Sequence, residues 1–342
     1  MTKQIRVIII EDSILMINVI TDMLNSDPRL QVIGSARDGK EGIEKIISLN
    51  PDVVTLDMEM PVMNGIDFLK NIMRVHPVPV VMLSAYTKDG ARETIEALNL
   101  GAVDFVSKPS GSISVNMREV RKELIEKIIR ASAIRREKLT CLPQYEACTF
   151  EYTPSRSNRR IIIICTSTGG PRALSVVLSV LPKNLNACIL IIQHMPEQFT
   201  PLLAERLNKI SPLDVKEANG GELLKEGKVY VAPGDKHMEV TQNGKILLTN
   251  KPKKHGVRPS CDITLKSLAS FGDRVLAVVL TGMGKDGSDG LFEVKKSKGK
   301  VIVEDASTSV IFGMPKAAIK TGYVDKVVPL CEIAKEIIDF TR

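Results

Sequence analysis

Four consecutive isoleucines, Ile161–Ile164, run into Cys165-Thr-Ser-Thr168, then Gly169-Gly170 and Pro171. No polar residue alternates within the run, so it reads as a strand buried on both faces, which places it inside a parallel sheet covered by helices. Two glycines make a tight turn, and Pro171 opens a helix, where its missing amide costs nothing. A hydroxyl leaving a buried strand on such a turn, Ser167 here, is exposed yet rigidly held. A serine nucleophile needs that setting, and a phosphate cradle needs a similar one, so the stretch alone leaves both open.

With 342 residues the chain has room for two domains, each with its own core. A hydrophobic content of 44% and a charged content of 25% are those of a soluble globular protein. No apolar run reaches membrane-spanning length, and Met1-Thr-Lys-Gln leads straight into a strand, so neither a signal peptide nor membrane insertion is expected. The six cysteines show neither CxxC pairing nor zinc spacing, which fits reduced thiols in a cytoplasm. The net charge of +7 hints at an acidic partner. Much of the excess sits in 118–138 and 251–254, however, and with no Trp and only five Tyr stacking is poorly supplied, so no nucleic-acid partner is expected.

In the first half, strand-like runs at 5–10, 31–36, 52–57, 78–84 and 103–106 alternate with amphipathic helical stretches at 13–25, 40–49, 65–75 and 89–100, and a last helix follows Pro109. Five such units imply a doubly wound parallel sheet. Ligands in these sheets sit beyond the carboxyl ends of the strands. Glu11 and Asp12 follow the first strand, Asp57 ends the third, Ser84 ends the fourth and Lys108 follows the fifth. Three carboxylates about 4 Å apart repel by roughly 4 kcal/mol per pair at an effective dielectric of 20, so positive charge must hold them. Lys108 supplies one charge, and a hard cation such as Mg²⁺ suits the remainder. That combination is a site for phosphoryl transfer to a carboxylate. Helix capping by Asp12 and Ser13 explains one such residue but not five.

This segment, from Ile5 to Pro109, resembles a response-regulator receiver domain of the flavodoxin-like class. The resemblance implies that Asp57 accepts phosphate from a CheA-type histidine kinase, with Glu11, Asp12, Asp57 and the Met58 carbonyl around Mg²⁺. It further implies that Ser84 and Lys108 contact the phosphate and that Phe105 occupies the aromatic switch position. The Glu-Asp pair departs from the commoner Asp-Asp. The methionines of Met58-Glu-Met-Pro61 are soft groups and read as packing rather than as metal ligands.

A charged amphipathic helix is expected over 118–138, packing Val120, Leu124, Ile128 and Ile129 on the sheet. From 139 to 158 periodicity is lost around Pro143 and Pro154, which marks a linker. The expected domains are therefore 1–138 and 159–342.

In the second half a strand at 187–193 ends at His194, and one at 274–280 runs into Thr281-Gly-Met-Gly-Lys-Asp-Gly287. Further strands are expected at 228–233 and 300–304, with a hairpin at the Gln242-Asn-Gly-Lys245 turn. The expectation is a second doubly wound, mainly parallel domain with antiparallel decoration. Ser167, His194 and Asp286 all fall at strand ends, and Ser/His/Asp is the set for acyl transfer. The order differs from that of α/β-hydrolases, and Cys165 stands where a G-x-S-x-G elbow has its first glycine. His237 and His255 are expected in ordinary surface roles. Asp286 also reads as an N-cap for a helix starting near Gly287.

Ser167-Thr-Gly-Gly-Pro171, Gln193-His-Met-Pro196, Val231-Ala-Pro-Gly234, Arg258-Pro-Ser260, 281–287 and Phe312-Gly-Met-Pro315 resemble the CheB-type protein-glutamate methylesterase domain from Ile161 to about Leu330. The resemblance implies hydrolysis of glutamyl methyl esters on methyl-accepting chemotaxis receptors, with methanol released, and deamidation of receptor glutamines. Ser167 is then the nucleophile, His194 the base and Asp286 its orienter, with no cofactor for the ester chemistry. The Met283 amide is an oxyanion donor and Thr168 a supporting residue behind it. Cys165 is a departure, since a side chain larger than glycine on that face crowds Ser167, and a Cys/His mechanism is its alternative reading. The receiver is expected to block Ser167 until Asp57 is phosphorylated. Two rival readings are a catalytically silent receptor-binding adaptor and a DNA-binding response regulator, the latter predicting a short helix-turn-helix output.

Overall fold

The computed structural model describes residues 4–84, 88–108, 116–140 and 160–342. They form two units, Met1–Leu142 and Pro143–Arg342. Of the expected linker, only Leu139 and Thr140 are described, and Pro109 also lies outside the described residues.

The first unit runs β1 (Ile5–Ile10), α1 (Ile14–Asn25), β2 (Leu30–Ala36), α2 (Gly39–Leu49), β3 (Val53–Asp57), α3 (Gly65–Val75), β4 (Val80–Ser84), α4 (Lys88–Leu100), β5 (Asp104–Ser107), α5 (Asn116–Ser132) and the short α6 (Glu137–Thr140). The strands pair in parallel in the order β2-β1-β3-β4-β5. The first three helices start for a local cause: the Ser13 hydroxyl caps α1, the Asp38 carboxylate caps α2 and the Asn64 side chain caps α3. The charged helix ends at Ser132, six residues short of the expectation. Arg136 there donates to the Pro51 carbonyl and bonds His76, so long-range contacts turn the chain where periodicity alone would continue it.

The second unit contains β6 (Arg160–Thr166), α7 (Gly170–Ser179), β7 (Ala187–Gln193), α8 (Thr200–Ile210), β8 (Asp214–Glu217), β9 (Lys228–Val231), β10 (His237–Val240), β11 (Ile246–Thr249), α9 (Cys261–Ser267), β12 (Val275–Val279), α10 (Leu291–Lys296), β13 (Lys300–Glu304), α11 (Met314–Lys320), β14 (Lys326–Val328) and α12 (Leu330–Thr341). Seven strands form one parallel sheet, β14-β13-β12-β6-β7-β9-β8, and β10–β11 is a separate antiparallel ribbon closed by the expected Gln242–Lys245 turn. The isoleucine strand β6 lies in its middle, with Ile161–Ile164 buried as the sequence demands. β7 flanks it on one side and β12 on the other, so the strand order reverses at β6 and the carboxyl end of β6 opens onto a switch-point crevice. Among the described residues no helix is long and apolar enough to cross a membrane.

Candidate active site

Register alone brings the three strand ends together. Thr166 pairs with Gln193, and Cys165 pairs with Val279, so the next residues out are Ser167, His194 and the Leu280–Thr281 turn. Backbone bonds extend that register, with the Ser167 amide donating to the Thr281 carbonyl (3.1 Å) and the His194 amide to the Thr166 carbonyl (3.2 Å). The turn is a place for glycine. Gly169 adopts φ +79°, and a Cβ on Gly170 would lie 2.1 Å from Gln193 Oε1. Gly282 packs so tightly that its Cβ would sit 2.9 Å from that of Ser167. The Gly313 and Met314 amides both donate to the Gly282 carbonyl, which gives the Phe312-Gly-Met-Pro315 motif its task of fixing the turn beside the serine.

Asp286 is 3% exposed and receives four hydrogen bonds. His194 Nε2 lies 2.8 Å from Oδ2, the Cys261 amide donates to Oδ2 (2.7 Å), the Ser260 hydroxyl donates to Oδ1 (2.6 Å) and the Asp262 amide to Oδ1 (3.2 Å). Burial alone raises such a carboxyl, but the His194 bond and these donors outweigh it and hold Asp286 well below the ordinary range. The expected cap function is real but belongs to another helix: Asp286 accepts the first amides of α9, while α10 begins only at Leu291. Ser260 thereby explains the Arg258-Pro-Ser260 motif.

With Nε2 engaged by Asp286, Nδ1 is the ring nitrogen outside that bond. Among the described residues the Ser167 hydroxyl makes no hydrogen bond and the Met283 amide donates to no protein acceptor. The structure therefore joins His194 to Asp286 and leaves the Ser167 hydroxyl outside that pair. The Thr168 carbonyl accepts from the Thr281 hydroxyl (3.0 Å), so Thr168 ties the Ser167 turn to the turn that begins at Thr281.

Two supporting residues escaped sequence reading. Gln193, 2% exposed, donates from one Nε2 to the carbonyls of both Ser167 (3.0 Å) and His194 (3.1 Å). Glu304, fully buried at the end of β13, accepts the Thr281 amide at 2.7 Å, and burial pushes its carboxyl up to about 7 against that hydrogen bond. Their signal was present, since each is a polar residue closing an apolar strand, but only the strand order places them beside the site.

Cys165 is wholly buried within the core, beside Cys261 and Gly287, and burial raises its thiol. A neutral, inaccessible thiol is a poor nucleophile, so the Cys/His reading loses its ground. His237 is another correction. It is fully buried rather than a surface residue, with Nδ1 accepting the Ser260 amide (3.2 Å) and Nε2 facing the Pro252 carbonyl (3.1 Å). His255 pairs with Asp262 (3.1 Å) and Asp289 (3.3 Å).

The first unit has its own strand-end site, a cavity of about 770 Å³ lined by Glu11, Asp12, Asp57, Met58 and Lys108 among others. Lys108 Nζ lies 2.8 Å from both Glu11 Oε2 and Asp57 Oδ1. Burial raises the Glu11 and Asp57 carboxyls more than the Lys108 hydrogen bonds lower them. One lysine is thus too little charge for three acids. Oxygens of Glu11, Asp12 and Asp57 lie within 4.8 Å of one another, an all-oxygen donor set that fits a hard divalent cation. The Met58 amide donates to Asp57 (2.7 Å), and its carbonyl accepts from Gly65 (3.0 Å). Ser84 accepts from Thr94 (2.7 Å) and donates to the Gly90 carbonyl (3.3 Å), so its hydroxyl is held by α4. Phe105 is buried, with Lys127 Nζ 5.0 Å from its ring centre.

A parallel α/β unit with an acid pocket at its strand ends, followed by another with serine, histidine and a buried aspartate at its switch point, defines the class: a receiver-type unit ahead of a hydrolase-type unit. The chain belongs to the CheB family. The family model described as CheB methylesterase matches residues 162–337, and that of the response regulator receiver domain matches residues 7–117. A Pyrococcus abyssi protein named protein-glutamate methylesterase/protein-glutamine glutaminase is 50% identical over 98% of this chain and 93% of its own length. A Thermotoga maritima protein of the same name is 47% identical over 98% of both. The crystal structure of the Thermotoga maritima CheB methylesterase catalytic domain superposes with a TM-score of 0.52 at 48% identity, covering 54% of this chain and 99% of that one.

Proposed function

We propose that this protein hydrolyses γ-glutamyl methyl esters on chemoreceptors and deamidates receptor glutamines, under control of phosphorylation at Asp57. The observation that carries the reading is the 2.8 Å bond from His194 to the four-bonded Asp286, in the segments that follow the two strands flanking β6. His194 Nδ1 takes the Ser167 proton as Oγ attacks the ester carbonyl, and the imidazolium is stabilised by Asp286. The Met283 amide faces the developing oxyanion, a contact of a kind worth about 10²–10³ in rate. His194 returns the proton to the departing methoxide, releasing methanol (or ammonia from glutamine). Water, activated by the same imidazole, then frees the acyl group from Ser167.

In the first unit Glu11, Asp12, Asp57 and the Met58 carbonyl would hold Mg²⁺, which when bound neutralises charge on a transferring phosphoryl group. Asp57 is the acceptor, Lys108 pairs with the incoming phosphate, and Ser84 leaves its Thr94 bond to do the same. The phosphodonor is a CheA-type histidine kinase and the setting is the cytoplasm. Phosphorylation favours the state in which Ser167 is accessible. In methanol-release assays on methylated receptor membranes, Ser167→Ala abolishes turnover and Cys165→Ala keeps it. The opposite pattern overturns the nucleophile assignment.

A further inference from the structure

His194 does not face Asp286 alone. The Cys261 thiol, 0% exposed at the start of α9, points at the same ring nitrogen, with Sγ 4.0 Å from His194 Nε2. Nε2, Sγ and a carboxylate oxygen of Asp286 all lie within 4.8 Å of one another. A zinc ion binds sulfur at about 2.3 Å and imidazole nitrogen at about 2.0–2.1 Å, so tetrahedral ligands of those two kinds stand roughly 3.6 Å apart. The nitrogen–sulfur gap here needs to close by about 0.4 Å, and the 2.8 Å nitrogen–oxygen gap to open by about 0.5 Å. Both are small side-chain adjustments. A thiol, an imidazole and a carboxylate select a thiophilic divalent ion, whereas the all-oxygen pocket around Asp57 selects a hard one. Cys165, buried next to Cys261 against Gly287, adds a second sulfur beside the set.

We infer that His194, Cys261 and Asp286 form a binding site for Zn²⁺ or a similar thiophilic cation, and that its occupancy shuts off the hydrolytic centre. The inhibition rests on the catalytic reading of His194, while the binding does not. Zn²⁺ takes the place of the proton between Nε2 and Asp286. That proton moves to Nδ1, the nitrogen that must accept from Ser167, so the ring has no free lone pair and cannot act as base. Cys261 gives up its thiol proton to solvent as the sulfur–zinc bond forms, and no electron is transferred. The fourth ligand position falls to water.

The test uses the full reduced chain with Mg²⁺ in excess to fill the receiver pocket. Titration with Co²⁺ yields one equivalent of a thiolate-to-metal charge-transfer band, displaced by Zn²⁺. The band is lost in Cys261→Ser and in His194→Gln and kept in Cys331→Ser. If Cys261→Ser fails to fold by circular dichroism, Cys261→Ala serves in its place. Zn²⁺ also suppresses methanol release. Removing a mere supporter of a metal ligand costs 10–100-fold in affinity, so loss of Cys261 raises the half-inhibitory Zn²⁺ concentration by about 10-fold or more. A wild-type chain without the band, a band that survives in either site variant, or turnover unaffected when the band is saturated overturns the inference. Absence of methanol release without metal sinks the functional reading instead, and the band still decides the site.

Discussion

Replacing Glu304 by glutamine isolates the cost of a charge buried behind the Ser167 turn. Its carboxylate accepts the Thr281 amide at 2.7 Å, and Thr281 in turn receives the Ser167 amide. Burial holds the folded-state pKa at about 7, against 4.5 for a free side chain. The unfolded chain therefore loses its proton first as pH rises, and stability falls between those two values. At 1.36 kcal/mol per unit the full loss is about 3 kcal/mol, complete above pH 7 and absent well below 4.5. From pH 5.5 to 8.5 the share lost is about 2 kcal/mol. Glutamine keeps an oxygen for the Thr281 amide and has nothing to ionise. Urea unfolding of both full-length proteins, read by pulsed hydrogen exchange on β13 peptides, separates this unit from the receiver. Relative to wild type, Glu304→Gln should gain about 2 kcal/mol across that pH range. A difference that stays flat with pH, or runs the other way, refutes the reasoning.

Other changes probe the relay and its supports. Asp286→Asn keeps the shape but fixes the wrong tautomer on His194, and kcat for ester hydrolysis should fall about 10⁴-fold with KM little changed. Gln193→Leu removes the donor to the His194 carbonyl and one of two donors to that of Ser167, costing about 1–3 kcal/mol of stability in urea unfolding and lowering kcat. Asp57→Asn should take up no phosphate from a small phosphodonor in a radiolabel assay. Its methanol release should stay at the basal rate whether or not the donor is present.

The strands that end at the candidate site were legible because buried parallel strands are written as unbroken apolar runs. Ala187–Gln193 and Lys300–Glu304 agree with the sequence to the residue. β8 and β14 were not legible. Asp214-Val-Lys-Glu217 and Lys326-Val-Val328 are short, charged edge strands whose pairing comes from a neighbour. At the site, Ser167, His194 and Asp286 stood out by residue type and strand-end position. The supports of Asp286 did not, because the Ser260 hydroxyl and the Cys261 amide reach it from 26 and 25 residues away. His237 looked exposed for the same reason, its partners lying 15 and 23 residues off. Pairings at such separations are set by topology, which a single sequence does not display.

In the proposed function Ser167 attacks a protein glutamyl ester with His194 and Asp286 behind it. Methanol release from methylated receptor membranes, followed in ¹⁸O-labelled water, tests this directly. The full chain should release unlabelled methanol and leave the label in the receptor carboxylate, and Ser167→Ala should be slower by about 10⁴-fold or more. Release by Ser167→Ala at a rate near that of wild type contradicts the account.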